Sequence, residues 1–258
     1  MEKPRGTYRR FVALALGLAV AASLTPAAET GAPVFTAGLM FEHLSRTVVW
    51  EGDTDTSRVR ASQVAARAGV DLGRGLKLGL TAGLSLSGFD ALVFDGLPVS
   101  LELGSTSLKG LVFGAEIEAA LFDLGDIEIL AAGRFVSSFG LARTWPLEDF
   151  AVPGEASGKA NWMEAAAGPR LMYRLPSGFA PYLEAAVRWL RVDVRMDETL
   201  EDLRGAEKRT VRGDIAFSFA LGGDIPLSER LTVKAKAGIA PFAGGVDALA
   251  SVGLVVAF

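Results

Sequence analysis

From residue 34 onward, hydrophobic and polar positions alternate almost one for one. In "LKLGLTAGLSLS" (76–87), Leu76, Leu78, Leu80, Ala82, Leu84 and Leu86 fall on one side, and Lys77, Gly79, Thr81, Gly83, Ser85 and Ser87 on the other. A period of two places successive side chains on opposite faces of a β-strand. The same alternation predicts strands over 34–43, 62–72, 111–121, 127–139, 161–174, 179–192, 211–221 and 231–240. It also covers the final "LASVGLVVAF", where Val252, Leu254, Val256 and Phe258 oppose the smaller, more mixed Ser251, Gly253, Val255 and Ala257.

The connections alternate as well. Short turns fall at 71–75, 122–126, 175–178 and 222–229. Long connections fall at 44–57, 88–107, 140–160 and 197–209, with a briefer one at 241–246 on the same side. This rhythm predicts an all-β fold: a transmembrane up-and-down antiparallel β-barrel, most simply of ten strands, with eight or twelve as neighbouring solutions. With an even strand number, both chain ends lie at the short-turn side. Closure also explains an apolar strand at the end of the chain, because its edge pairs with the first strand instead of standing open.

The two faces decide what surrounds the barrel. A water-soluble barrel buries its apolar face and shows its polar one. Here the polar face carries the acids Glu42, Asp71, Glu116, Glu118, Glu128, Glu164, Glu184 and Asp214, with the bases Arg67, Lys77, Arg134, Arg170, Arg174, Arg188, Arg212, Lys234 and Lys236. A dry core does not hold so many ions, since each costs several kcal/mol to bury, whereas an ion-paired or wet lumen does. The apolar face therefore meets lipid. Phe41, Phe135, Trp162, Tyr173 and Trp189 stand near strand ends, where aromatic girdles are expected.

Composition adds the compartment. "MEKPRGTYRR" followed by "FVALALGLAVAASL" reads as a signal peptide over 1–28, with cleavage expected after Ser23 or Ala27 and the barrel domain over 29–258. No later stretch is apolar enough for a membrane-spanning helix. The basic residues Lys3, Arg5, Arg9 and Arg10 sit in the leader, so the remainder is more acidic than the whole chain at −4, and nucleic-acid binding is not expected. Cysteine is absent.

The alternation ending in Val252, Leu254, Val256 and Phe258 resembles that of the outer-membrane β-barrel proteins of Gram-negative bacteria. The resemblance implies the cell outer membrane as location and assigns the terminal strand as the signal read by the barrel-insertion machinery. It further implies outer-membrane lipids and lipopolysaccharide as surroundings; the barrel is expected to be monomeric.

Candidate chemistry is sparse. His43, the only histidine, shares a strand face with Ser45, an arrangement found in some lipid deacylases of the outer membrane, but no carboxylate partner can be placed beside them. A lone histidine without cysteine argues against a metalloenzyme. The acidic stretches 51–57 and 197–203 read as solvated loop tips in preference to a divalent-cation site bridging lipopolysaccharide phosphates. "FDALVFDGLPVSLEL" (89–103) is unusually apolar for a loop, and Asp95–Gly96 suggests a hairpin projecting above the membrane. A ten-strand cylinder is about 20 Å across, which long charged side chains fill. The expected function is a structural or surface-interaction barrel with no catalytic, cofactor or metal residues. A narrow small-solute channel is the alternative, and a lipid hydrolase using His43 and Ser45 a distant third.

Overall fold

Each alternating segment has one face for lipid and one for the lumen, so no strand is stable until both of its edges are paired. The computed structural model describes residues 32–258 apart from 51–54, 74, 105–106, 148–151 and 243–244. The expected signal segment 1–28 lies outside the described residues. The strands are β1 (Val34–Trp50), β2 (Thr56–Asp71), β3 (Leu76–Asp90), β4 (Val93–Phe94), β5 (Leu101–Glu102), β6 (Leu108–Asp123) and β7 (Ile127–Gly140). They continue with β8 (Arg143–Pro146), β9 (Gly154–Tyr173), β10 (Ala180–Leu200), β11 (Leu203–Pro226), β12 (Leu231–Phe242) and β13 (Gly245–Ala257).

Among the described residues the long strands pair antiparallel in the order β1-β2-β3-β6-β7-β9-β10-β11-β12-β13, and β13 returns to β1 from Thr36↔Ala257 to Ser45↔Ala248. The fold is an all-β up-and-down barrel. β4 and β5 form a separate two-stranded ribbon, and β8 adds to the edge of β9. Glycines with φ of 84° (Gly125) and 83° (Gly178) close two of the short turns, a conformation that costs glycine nothing sterically.

The wall is taller than the alternation first suggests. Most of 44–57 and 140–160, and nearly all of 197–209, is strand; β10 and β11 meet in a turn at Glu201–Asp202. Along β10 the period of two runs on without a break, but its sense inverts. In the belt the outward residues are apolar: Leu80 is 66% exposed and Phe217 65%. Above the belt β10 turns Val192, Val194 and Met196 inward and Arg191, Asp193 and Arg195 outward. A segment whose apolar side faces in does not look like a continuation of one whose apolar side faces lipid.

A register shift opposite Trp189 changes one inward assignment. Arg188 pairs with Ala216 but Leu190 with Gly213. Beyond this bulge Val211 and Gly213 are the buried residues of β11, and Arg212 turns to the outer face instead of the lumen. The side chain of Asp214 lies outside the described residues.

Candidate functional site: a lumen filled in two layers

In the half nearer the short turns, the inward charges find one another. Arg188 on β10 places Nη1 2.6 Å from Glu164 Oε1 on β9, donates from Nε to Ser218 Oγ on β11 at 2.9 Å, and lies 3.8 Å from Glu184. Arg170 on β9 pairs with Glu184 at 2.6 Å and with Glu118 on β6, and stacks over the Tyr182 ring 4.5 Å from its centroid. Arg134 on β7 spans the lumen to Glu42 on β1, which also accepts from Gln63, and sits 3.7 Å from Glu116. Arg67 joins Glu116 at 2.6 Å, Lys236 joins Glu184 at 3.4 Å, and Lys234 pairs with Asp224. Acids and bases thus neutralise one another strand to strand. The cavity they leave, about 90 Å³, has room for several waters. At the short-turn rim the pairs are wetter: Lys77 with Asp71 at 3.8 Å, and Arg174 with Glu128 at 2.5 Å.

The half nearer the long connections is apolar. Phe89, Leu92, Phe94, Leu97 and Leu103 are buried against Val48, Val59, Leu190, Val192, Val194, Met196 and Val211. The 88–107 connection therefore does not project above the membrane. Its β4–β5 ribbon turns into the barrel mouth, because burying that many apolar side chains is worth roughly 1.5–3 kcal/mol each. Polar contacts fasten it there. The Gly96 amide donates to Glu207 Oε2 at 2.7 Å, the Val99 amide to Glu198 Oε2 at 3.2 Å, and Ser57 Oγ to the Ala91 carbonyl at 2.8 Å. Arg209 pairs with Asp95 and Glu207 while lying over the Trp50 ring. Trp162 belongs to this plug and not to a girdle: it is buried and donates from Nε1 to Ser87 Oγ at 3.0 Å. Phe41, Phe135 and Tyr173 do face outward.

Other expected features separate. His43 and Ser45 lie on the outer face, and His43 Nδ1 is 2.9 Å from Ser62 Oγ on the neighbouring strand. In the acidic stretch 197–203, Asp197 pairs with Arg195 at 2.8 Å while Glu198 points into the plug, and the described residues hold no group of three potential metal ligands. Of the stretch 51–57, residues 51–54 lie outside the described residues. Above the belt, Asp193 accepts from Thr210 Oγ1 at 2.6 Å and lies 3.3 Å from Arg191. Burial pushes its carboxyl pKa up, but these hydrogen bonds and the nearby Lys208 outweigh burial and hold it below the ordinary value.

Several inward charges escaped the strand pattern. Arg46 and Asp247 form a buried pair at 3.0 Å, and the Thr47 amide also donates to Asp247 at 2.8 Å, where β1 leaves β13 and pairs with β11. Asp224 and Glu198 belong with them, as do Glu207 and Arg209 beside the plug. Their parity was the available signal: Arg46 continues the inward series of Glu42 and Leu44, and Asp247 that of Leu249 and Ser251.

No protein-family model matches the chain, and no curated protein matches its sequence. Solved structures do. The outer-membrane protease OmpT of Escherichia coli superposes with a TM-score of 0.53 at 12% identity, over 91% of this chain and 100% of that one. The β-domain of the Bordetella autotransporter BrkA gives 0.49 at 11% identity over 87% and 99%, and the translocator domain of NalP from Neisseria meningitidis 0.43 at 14% over 98% and 98%. A closed barrel, apolar outside at mid-height and ion-paired within, in the fold of OmpT, defines an outer-membrane β-barrel protein. Its place is the outer membrane.

Proposed function

We propose that this barrel is closed to solutes and acts as a structural and surface-interaction protein through its long-connection end. One observation carries the reading: two unlike layers occupy the lumen in series, an apolar plug fastened to β10 and β11 above and a neutralised ion network below. A conducting pore lined by one sign of charge is the opposite arrangement. The test is conductance of the refolded full chain in planar bilayers. No discrete single-channel steps are expected; regular steps would make it the small-solute channel.

The same reading makes the barrel no enzyme. His43 is held by a serine hydroxyl, and no carboxylate bonds to it among the described residues, so the relay that activates a serine nucleophile lacks its acidic member. Phospholipid turnover by the wild-type chain that disappears in Ser45→Ala would overturn this. The outward-facing Val252, Leu254, Val256 and Phe258 of the seam support their assignment to recognition by the insertion machinery, and the Phe258 amide donates to the Phe35 carbonyl at 3.0 Å.

A further inference from the structure

The outer wall above the lipid belt has an order that a closed lumen does not need. β9, β10 and β11 continue past the belt, and their register sets outward side chains abreast. Lys159 stands opposite Arg195, and Arg195 opposite Lys208, so three cations on three strands share one row. The next row toward the membrane is Asn161, Asp193 and Thr210, and the one below it Met163, Arg191 and Arg212, bordering Trp189 and the belt. Among the described side chains two carboxylates stand with these cations: Asp197 pairs with Arg195, and Asp193 serves Arg191 and Lys208, the latter at 3.6 Å. Cations remain in excess, on a chain whose net charge is −4. Arg195 is 53% exposed and Lys208 61%.

We propose that this wall binds the phosphate-bearing headgroup of a lipid in the outer leaflet. It rests on the reading of the long-connection end as the outer face. Three features select this occupant. The positive excess complements a phosphate. The Arg191 row is continuous with the lipid-facing surface, so a lipid whose chains lie on the belt presents its headgroup here. Guanidinium groups also present paired donors that match phosphate oxygens. The carboxylates hold the cations in position; Asp193 does so for two of them.

The test uses the full chain refolded in a neutral detergent, titrated with bisphosphorylated lipid A and, separately, with its dephosphorylated form, and read by native mass spectrometry. The expected result is a preference on the order of tenfold for the phosphorylated lipid, as a few cations at a membrane surface supply, weakened by added salt. Replacing Lys159→Gln, Arg195→Gln and Lys208→Gln together abolishes the preference. Arg58→Gln with Arg60→Gln, on β2 across the barrel, keeps it and controls for general charge loss. Heat-modifiable gel mobility confirms that each variant is folded. Equal binding of both lipids, an unchanged preference in the triple variant, or displacement by inorganic phosphate well beyond that caused by chloride at equal ionic strength would each overturn the proposal, the last by making it a site for anions in solution. Conductance of the same samples separates the two readings: a conducting barrel that keeps the preference refutes closure alone, and a closed one without it refutes this site alone.

Discussion

Glu164 and Lys77 both face inward and both carry charge, yet they stand in different media. Glu164 is 7% exposed and is matched to Arg188, whose other neighbours are Ser218 and Glu184. Lys77 sits at the short-turn rim with its side chain 46% exposed. Breaking a buried ion pair from one side leaves a charge that neither water nor partner stabilises, at about 3–5 kcal/mol, whereas a solvated pair contributes about 0–1 kcal/mol. Glu164→Ala is therefore expected to destabilise the barrel by several kcal/mol, and Lys77→Ala by less than one. Urea unfolding in phospholipid vesicles, followed by tryptophan fluorescence, measures both. Equal small losses would mean that water reaches the whole lumen and that the network contributes little.

At the scale of elements, the plug and the ion layer occupy the lumen in series, so under the proposed closure removing one leaves the other in place. Replacing residues 92–103 by a glycine-serine linker is expected to give a folded barrel that still shows no channel steps. Adding Glu42→Ser with Arg134→Ser, which removes charge in a balanced pair across the lumen, is expected to open it. Steps from the linker variant alone would show that the ion layer is no barrier. The strands of the belt were legible in the sequence because lipid outside and charge inside give every other residue opposite chemistry, as in 76–87. The upper wall was less legible, since water outside and a plug inside reverse that contrast; for that reason the alternation leaves Arg46 and Glu198 in loops and Val192 at a strand end. The ribbon's entry into the mouth was invisible locally: Phe89, Leu92 and Phe94 find their partners on β1, β2, β10 and β11. The pairing of Arg134 with Glu42 likewise depends on which strands face each other across the ring, which no single strand's pattern encodes.

The whole molecule exists as a barrel only if its first and last strands meet. Apart from the two-residue contact of β1 with β11, the other pairs of long strands join strands that follow one another around the wall in chain order, but β1 and β13 come from opposite ends of the described chain. Until they pair, two edges present unsatisfied backbone groups, which hydrocarbon does not tolerate. Gly38 lies on β1 opposite Val255, facing the lumen, and a Cβ there would stand 2.3 Å from the backbone oxygen of Leu254. That oxygen belongs to the partner strand's main chain and cannot rotate aside, so the seam itself must shift. Overpacking of this kind costs about 1–3 kcal/mol in a well-packed site, and here it falls on the pairing that closes the ring. Gly38→Ala is accordingly expected to lower the yield of heat-modifiable, folded protein on refolding into lipid and to reduce the urea midpoint of what does fold. Gly88→Ala, where an added Cβ has nothing within 4 Å, is expected to refold like the wild type. If Gly38→Ala matches Gly88→Ala in yield and midpoint, the seam has slack, and closure does not hinge on the fit of β1 against β13.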